Sequence, residues 1–179
     1  MVFPSVALAV ARCAIDEVTD LAHGKTPLTS TTMLWERASA QAQLAHAEAL
    51  WRAGRVLLYE TLRTAWDVSV AGETLTLHQK ADLLLAMTQA VSGAATAVEW
   101  MWSAAGTSGI FRSSPLERYF RDMQVLKQQD IILRSGPWYI AYPMSPHHVE
   151  ERFGHNFSCE VICGMISLCD SGRREGESR

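Results

Sequence analysis

The sequence predicts an all-α protein, an up-and-down four-helix bundle followed by an irregular C-terminal tail. Three observations carry that expectation. Alanine is heavily used while proline and glycine are sparse before residue 106, a composition that favours helix. Leu77, Ala81, Leu84, Thr88, Val91, Ala95, Val98 and Trp102 alternate spacings of four and three, which keeps one narrow seam facing a partner helix. Helix-stopping and helix-starting residues then stand between the helical segments.

The first helix is expected from about Val2 to His23, with Val6, Val10, Cys13 and Val18 near one face. In "HGKTP", Gly24 suits the residue after a helix and Pro27 prevents easy continuation. The apolar start lacks a basic leader, and Arg12, Asp16 and Glu17 soon interrupt it, so it reads as an amphipathic helix rather than a signal peptide. The second segment, Thr32 to Ala71, has no proline and Gly54 as its only glycine. As one helix it would extend about 60 Å, with Gly72 closing it. The third helix starts with a Thr76-x-x-Gln79 capping box and is ended by Gly106. Its small residues Ala81, Thr88 and Ala95 would let a neighbouring helix approach closely.

A fourth helix should open at Ser114-Pro115-Leu116-Glu117 and run from Pro115 to about Gln129. Serine caps free amides, proline suits the first helical position, and Glu117 can complete a capping box. After Asp130 the character changes. "IILRSGPWYIAYPMSPHH" holds three prolines, "CEVICGMISLC" is apolar, and "DSGRREGESR" reads as a polar end. The expected division is therefore a bundle over residues 2–130 and a divergent or disordered tail over 131–179.

A chain of 179 residues with 48% hydrophobic and 20% charged residues can bury a real core as one domain. A net charge of −3 and a pI near 6.1 exclude the global basic field that nucleic acid would require. Trp35, Trp51, Trp66, Trp100 and Trp102 then read as core or interface anchors rather than a base-stacking platform. No charge-free apolar run approaches the roughly 20 residues that span a membrane. Four cysteines in a chain this size do not make a disulfide framework, which points to a reducing cytoplasm. His155, Cys159 and Cys163 would share a helical face, but without a paired C-x-x-C they match no common zinc class, and no metal site is expected.

The stretch "AAGTSGIFRSSPLERYFRD" carries the most specific signal. Gly106-Thr107-Ser108-Gly109 ends a long helix, Pro115 starts the next, and Arg121-Asp122 follows within it. This combination, with its flanking helices, resembles the C-terminal bundle of acyl-CoA dehydrogenase-type flavoproteins over roughly Val6 to Asp130. The resemblance is closest to the branch that includes flavin-dependent monooxygenases of aromatic or sterol-derived rings. It implies an acyl-CoA dehydrogenase C-terminal type of bundle and an FAD cofactor, with FMN as the alternative. It also implies that Ser103, Gly106, Thr107, Ser108 and Gly109 approach the flavin's diphosphate or adenine portion. Arg121, with Arg112 and Arg118, could favour an anionic cofactor or an acyl-CoA phosphate. Taken alone, the same residues also suit a glycine-ended helix followed by a capped one, with Arg118 and Arg121 paired to Glu117 and Asp122.

For the chemistry, the resemblance implies a carboxylate base shortly after the Arg-Asp pair in dehydrogenases, a place that ungapped counting gives to Asp130. The monooxygenase branch implies a histidine one residue earlier. Gln129 stands there, and glutamine cannot act as acid or base. The leading expectation is the C-terminal domain of an acyl-CoA dehydrogenase-like oxidoreductase, lining the flavin site and forming the oligomer interface. The alternatives are the oxygenase component of a two-component flavin-dependent monooxygenase, or a non-catalytic helical oligomerisation module. Such proteins also hold an N-terminal helical domain and a central β-domain, neither of which is visible here. The chain is therefore expected to be a piece that binds flavin poorly alone. Implied partners are a second or further copies, as homodimer or homotetramer, and an acyl-CoA or aromatic small-molecule substrate. A flavin reductase or an electron-transfer flavoprotein is implied as well.

Overall fold

The computed structural model describes residues 3–27, 31–111 and 114–128. Four helices make up its frame: α1 (Phe3–Gly24), α2 (Ala38–Val70), α3 (Leu77–Ala105) and α4 (Pro115–Lys127), with short 3-10 helices at Leu34–Glu36 and Gly106–Ile110. There is no strand among the described residues.

α3 is the centre, packed by α1, α2 and α4. The expected seam is buried from Leu84 through Thr88, Val91 and Ala95 to Val98, but so are Leu83, Ala86, Met87, Ala90, Ala94, Ala97 and Met101. A helix with three neighbours buries most of its circumference, not one stripe. That burial also explains why Leu77–Ile110 is long and apolar enough to cross a membrane, for 67% of its apolar window lies inside the bundle. The Thr76 cap forms as expected: Thr76 Oγ1 accepts from Gln79 N at 3.2 Å, and Gln79 Oε1 accepts from Thr76 N at 2.9 Å.

Two sequence expectations change. α1 does not bury Val6 and Cys13, which are exposed; its inward face is Pro4, Ala7, Leu8, Ala11, Ala14, Ile15 and Val18. Alanines at the contact let backbones approach, while Leu8 and Ile15 supply the bulk. The second segment is not one helix from Thr32. Leu34 is buried and its N–H donates to Lys25 O at 2.9 Å, and Glu36 Oε2 accepts from Met33 N at 3.1 Å. These bonds hold a 3-10 turn, Arg37 is extended at φ −79 and ψ 122, and α2 begins only at Ala38.

α1 and α2 are tied by a cluster around Glu48. Its oxygens accept from Arg12 Nη1 and Arg52 Nε, each at 2.7 Å, and Arg12 also pairs with Asp16 at 2.7 Å. Arg12 lies over the Trp51 ring, whose Nε1 donates to Leu8 O at 2.9 Å. Burial pushes the Glu48 carboxyl up, but hydrogen bonds from Arg52 and Arg12 and their charges outweigh it and hold it below its ordinary 4.5. A carboxylate held below its unfolded value stabilises the fold above that value, and the contribution fades as pH falls through the folded one. Stability should therefore drop on acidification below about pH 4.5. Glu48→Gln should cost about 1 kcal/mol near neutrality and flatten that drop. Melting curves across the acid range decide it; a variant with the wild-type acid profile would show the cluster to be idle.

Candidate functional site

The corner between α3 and α4 is built from two glycines that are needed for different reasons. Gly106 has φ 56 and ψ −136, a conformation side-chain-bearing residues rarely adopt, and a Cβ there would meet nothing within 4 Å. Gly109 has no such φ but no room either: a Cβ would stand 3.1 Å from Trp102 Cδ1 and 3.3 Å from Trp102 O. The Trp102 indole N–H donates to Gly109 O at 3.2 Å, and its ring stacks on Phe120 of α4 with centroids 4.8 Å apart.

The expected residues gather in part. Gly106 N–H donates to Ser103 O, and Ser103, Gly106 and Thr107 are exposed. Ser108 is half-buried and its Oγ accepts from Lys25 Nζ at 2.7 Å; the same ammonium donates to Ala105 O at 2.6 Å. Lys25 was not anticipated. It lies 80 residues from Ala105 in sequence, and no local pattern reveals a contact of that range.

Ser114 caps α4, its Oγ accepting from Leu116 N at 3.3 Å, with Pro115 in the first turn. The expected capping box does not close. Ser114 N–H donates instead to Phe111 O at 2.8 Å, and Glu117 turns forward to Arg121 at 3.4 Å. Arg121 is thus paired with Glu117, and no hydrogen bond or ion pair joins it to the glycine turn among the described residues. Arg118 pairs with Asp122 at 3.5 Å, so the Arg-Asp marker is two separate pairs each one turn long. Both are exposed pairs of the weakly stabilising kind. On the inner side, Glu99 Oε1 accepts from Lys127 at 2.9 Å and Gln124 at 3.2 Å. Burial raises that carboxyl, but the two hydrogen bonds and the Lys127 charge leave it below its ordinary value.

Asp130, Gln129 and Arg112 lie outside the described residues, as do His155, Cys159 and Cys163. Among the described residues no group of three or more His, Cys, Asp or Glu could hold a metal. A shallow groove of about 260 Å³ runs between α2 and α3, lined by Leu57, Glu60, Thr61, Thr64, Gln79, Asp82 and Leu85. It sits about 30–40 Å along α3 from the corner at helical rise. The corner itself offers exposed backbone, a hydroxyl and an ammonium.

Fold and corner together define the class: an all-α four-helix bundle with a glycine-rich edge between its last two described helices. Residues 1–132 match the family "Acyl-CoA dehydrogenase, C-terminal domain", and the chain belongs to that family. Curated relatives include an indole-3-acetate monooxygenase of Pseudomonas putida, 35% identical over 123 residues, which are 69% of this chain and 32% of that protein. An indole-3-acetate monooxygenase of Acinetobacter baumannii is 31% identical over 123 residues, with the same coverage of 69% and 32%. This chain thus spans about a third of the length of the relatives it matches. Among solved structures, XiaF from Streptomyces sp., in complex with FADH2 and glycerol, superposes with TM-score 0.70 at 20% identity, over 80% of this chain and 38% of that one. The 3-HSA hydroxylase from Rhodococcus sp. RHA1 gives TM-score 0.66 at 16% identity, over 79% of this chain and 39% of that one. At these identities the two structures speak for the fold.

Proposed function

We propose that the chain forms the C-terminal bundle of a flavin-dependent monooxygenase acting on a small aromatic acid, with the Ser103–Gly109 corner as its flavin-facing edge. One observation carries this choice over acyl-CoA dehydrogenation: both curated relatives are indole-3-acetate monooxygenases, at 35% and 31% identity across the bundle. The FADH2 in the XiaF structure supports a reduced flavin, with FMN the alternative to FAD. A reductase supplying that flavin and a cytoplasmic setting belong to the same reading, as does assembly of the bundles into dimers or tetramers.

The corner fits such a group on its own geometry. Gly106 and Thr107 present exposed backbone, Ser108 and Lys25 present polar hydrogens, and α4 begins alongside with the positive end of its dipole. Bound reduced flavin would supply the electrons for placing oxygen on the ring. The residues of this chain would hold its diphosphate part and keep the turn in shape. Arg121 as a cofactor ligand remains part of the proposal, while Asp130 as a base belongs to the acyl-CoA dehydrogenase alternative; each is open to substitution.

A chimera tests it. The segment of the Pseudomonas putida enzyme that matches this chain is replaced by the corresponding residues of this chain. The hybrid should bind flavin and consume indole-3-acetate with a flavin reductase and oxygen present. A folded hybrid that takes up flavin but oxidises only acyl-CoA would overturn the monooxygenase reading.

A further inference from the structure

We propose that Lys25 is a positioning residue for the anionic part of the flavin: it braces the glycine turn and reverses the sign of the field there. The inference rests on the corner being the flavin-facing edge.

The turn follows the C-terminus of a 29-residue helix. The last carbonyls of such a helix carry about half an elementary negative charge, which by itself repels an anion at Gly106 and Thr107. Lys25 Nζ sits on those carbonyls, donating to Ala105 O at 2.6 Å and to Ser108 Oγ at 2.7 Å. A full positive charge outweighs the helix end, so the field at the turn becomes attractive.

Three further observations separate Lys25 from an ordinary surface lysine. Its backbone is anchored, since Lys25 O accepts from the N–H of buried Leu34 at 2.9 Å. Its side chain is half-buried, and no carboxylate pairs with it among the described residues. An ammonium has three donors, and the two bonds to Ala105 and Ser108 leave one for a ligand. Arg121, the cation that the sequence favours, is instead 64% exposed and engaged with Glu117. The bond to Ser108 also ties the turn together: one ammonium joins the end of α3 to the middle of the following 3-10 helix.

The test compares wild type, Lys25→Met and Lys25→Arg in the 179-residue chain. Amide hydrogen exchange over residues 106–111 should be roughly tenfold faster in Lys25→Met, with Lys25→Arg restoring protection. FAD titration followed by amide chemical shifts should show the turn responding in wild type, even if weakly. Affinity should fall about tenfold in Lys25→Met with a shallower salt dependence, and lumiflavin, which lacks the phosphates, should not discriminate the two. Unchanged exchange in Lys25→Met overturns the bracing role. A wild-type FAD response that Lys25→Met retains in full overturns the field role while leaving the corner's reading intact. A wild-type turn blind to FAD defeats that reading itself, and the field role with it.

Discussion

Gly54→Val should destabilise the chain by about 3 kcal/mol, lowering its melting temperature by roughly 6–12 °C. Gly54 is buried on α2 where that helix crosses α3. A Cβ there would stand 3.1 Å from Ala90 Cα and 3.7 Å from Gln89 O. The obstacle is backbone, so no side chain can swing away. Ala90 is itself fully buried, and α3 is held by α1 and α4 on its other sides. The two helices must therefore separate, loosening Leu58 and Leu62 on the same seam. Intrinsic helix propensity works the other way, since removing a mid-helix glycine gains up to about 1 kcal/mol. Gly54→Ala should accordingly land near zero, and the contrast between the two variants isolates the steric part. Urea unfolding measures both. If Gly54→Val melts with wild type, α2 and α3 do not approach this closely.

What could be read from the sequence follows the range of the interactions involved. The starts of α3 and α4 were legible because Thr76 with Gln79, and Ser114 with Pro115, act within three residues. The helical character of all four segments was legible in composition and spacing. The face of α1 was not, because valines look more hydrophobic than alanines while close helix contact selects alanine: Ala7, Ala11 and Ala14 are fully buried where Val6 is 41% exposed. The start of α2 failed for a tertiary reason, the Leu34 bond to Lys25 O. Glu117 failed to complete its box because a neighbour, Phe111 O, already held the Ser114 amide.

The candidate site divides the same way. Gly106 and Gly109 stood out as a motif, yet only the structure shows that one answers to φ and the other to the Trp102 indole. Lys25 carried no signal beyond being a lysine after a helix-ending glycine. Gly54 stood out only as the lone glycine of its segment, and its close approach to Ala90 is seen in the structure alone. The arginines could be read both ways in the sequence: Arg118 and Arg121 suit an anion, yet each has an acidic residue one turn away, and those local pairs form.

Trp102→Ala should cost about 3 kcal/mol, the lower end for a tryptophan because the ring is half-buried. This one side chain joins three elements. It belongs to α3, its N–H donates to Gly109 O at 3.2 Å, and its ring stacks on Phe120 at 4.8 Å. Removing it strands the Gly109 carbonyl and takes away the platform under α4. α4 has only 13 residues, and helices below about 12–15 residues are marginal without packing. The loss should therefore be local as well as global: amide exchange across α4 and the turn should rise more than across α2. Trp102→Phe keeps the stack and loses only the hydrogen bond, so about 1 kcal/mol is expected. Wild-type protection of α4 in Trp102→Ala would mean that Leu116 and Met123, both buried against the core, hold the helix without help. The functional consequence separates the same two variants. A corner that serves flavin depends on where Gly106 and Thr107 present their backbone, and the indole fixes that through Gly109. Trp102→Phe should keep the turn's response to FAD and Trp102→Ala should abolish it, at a temperature where both remain folded.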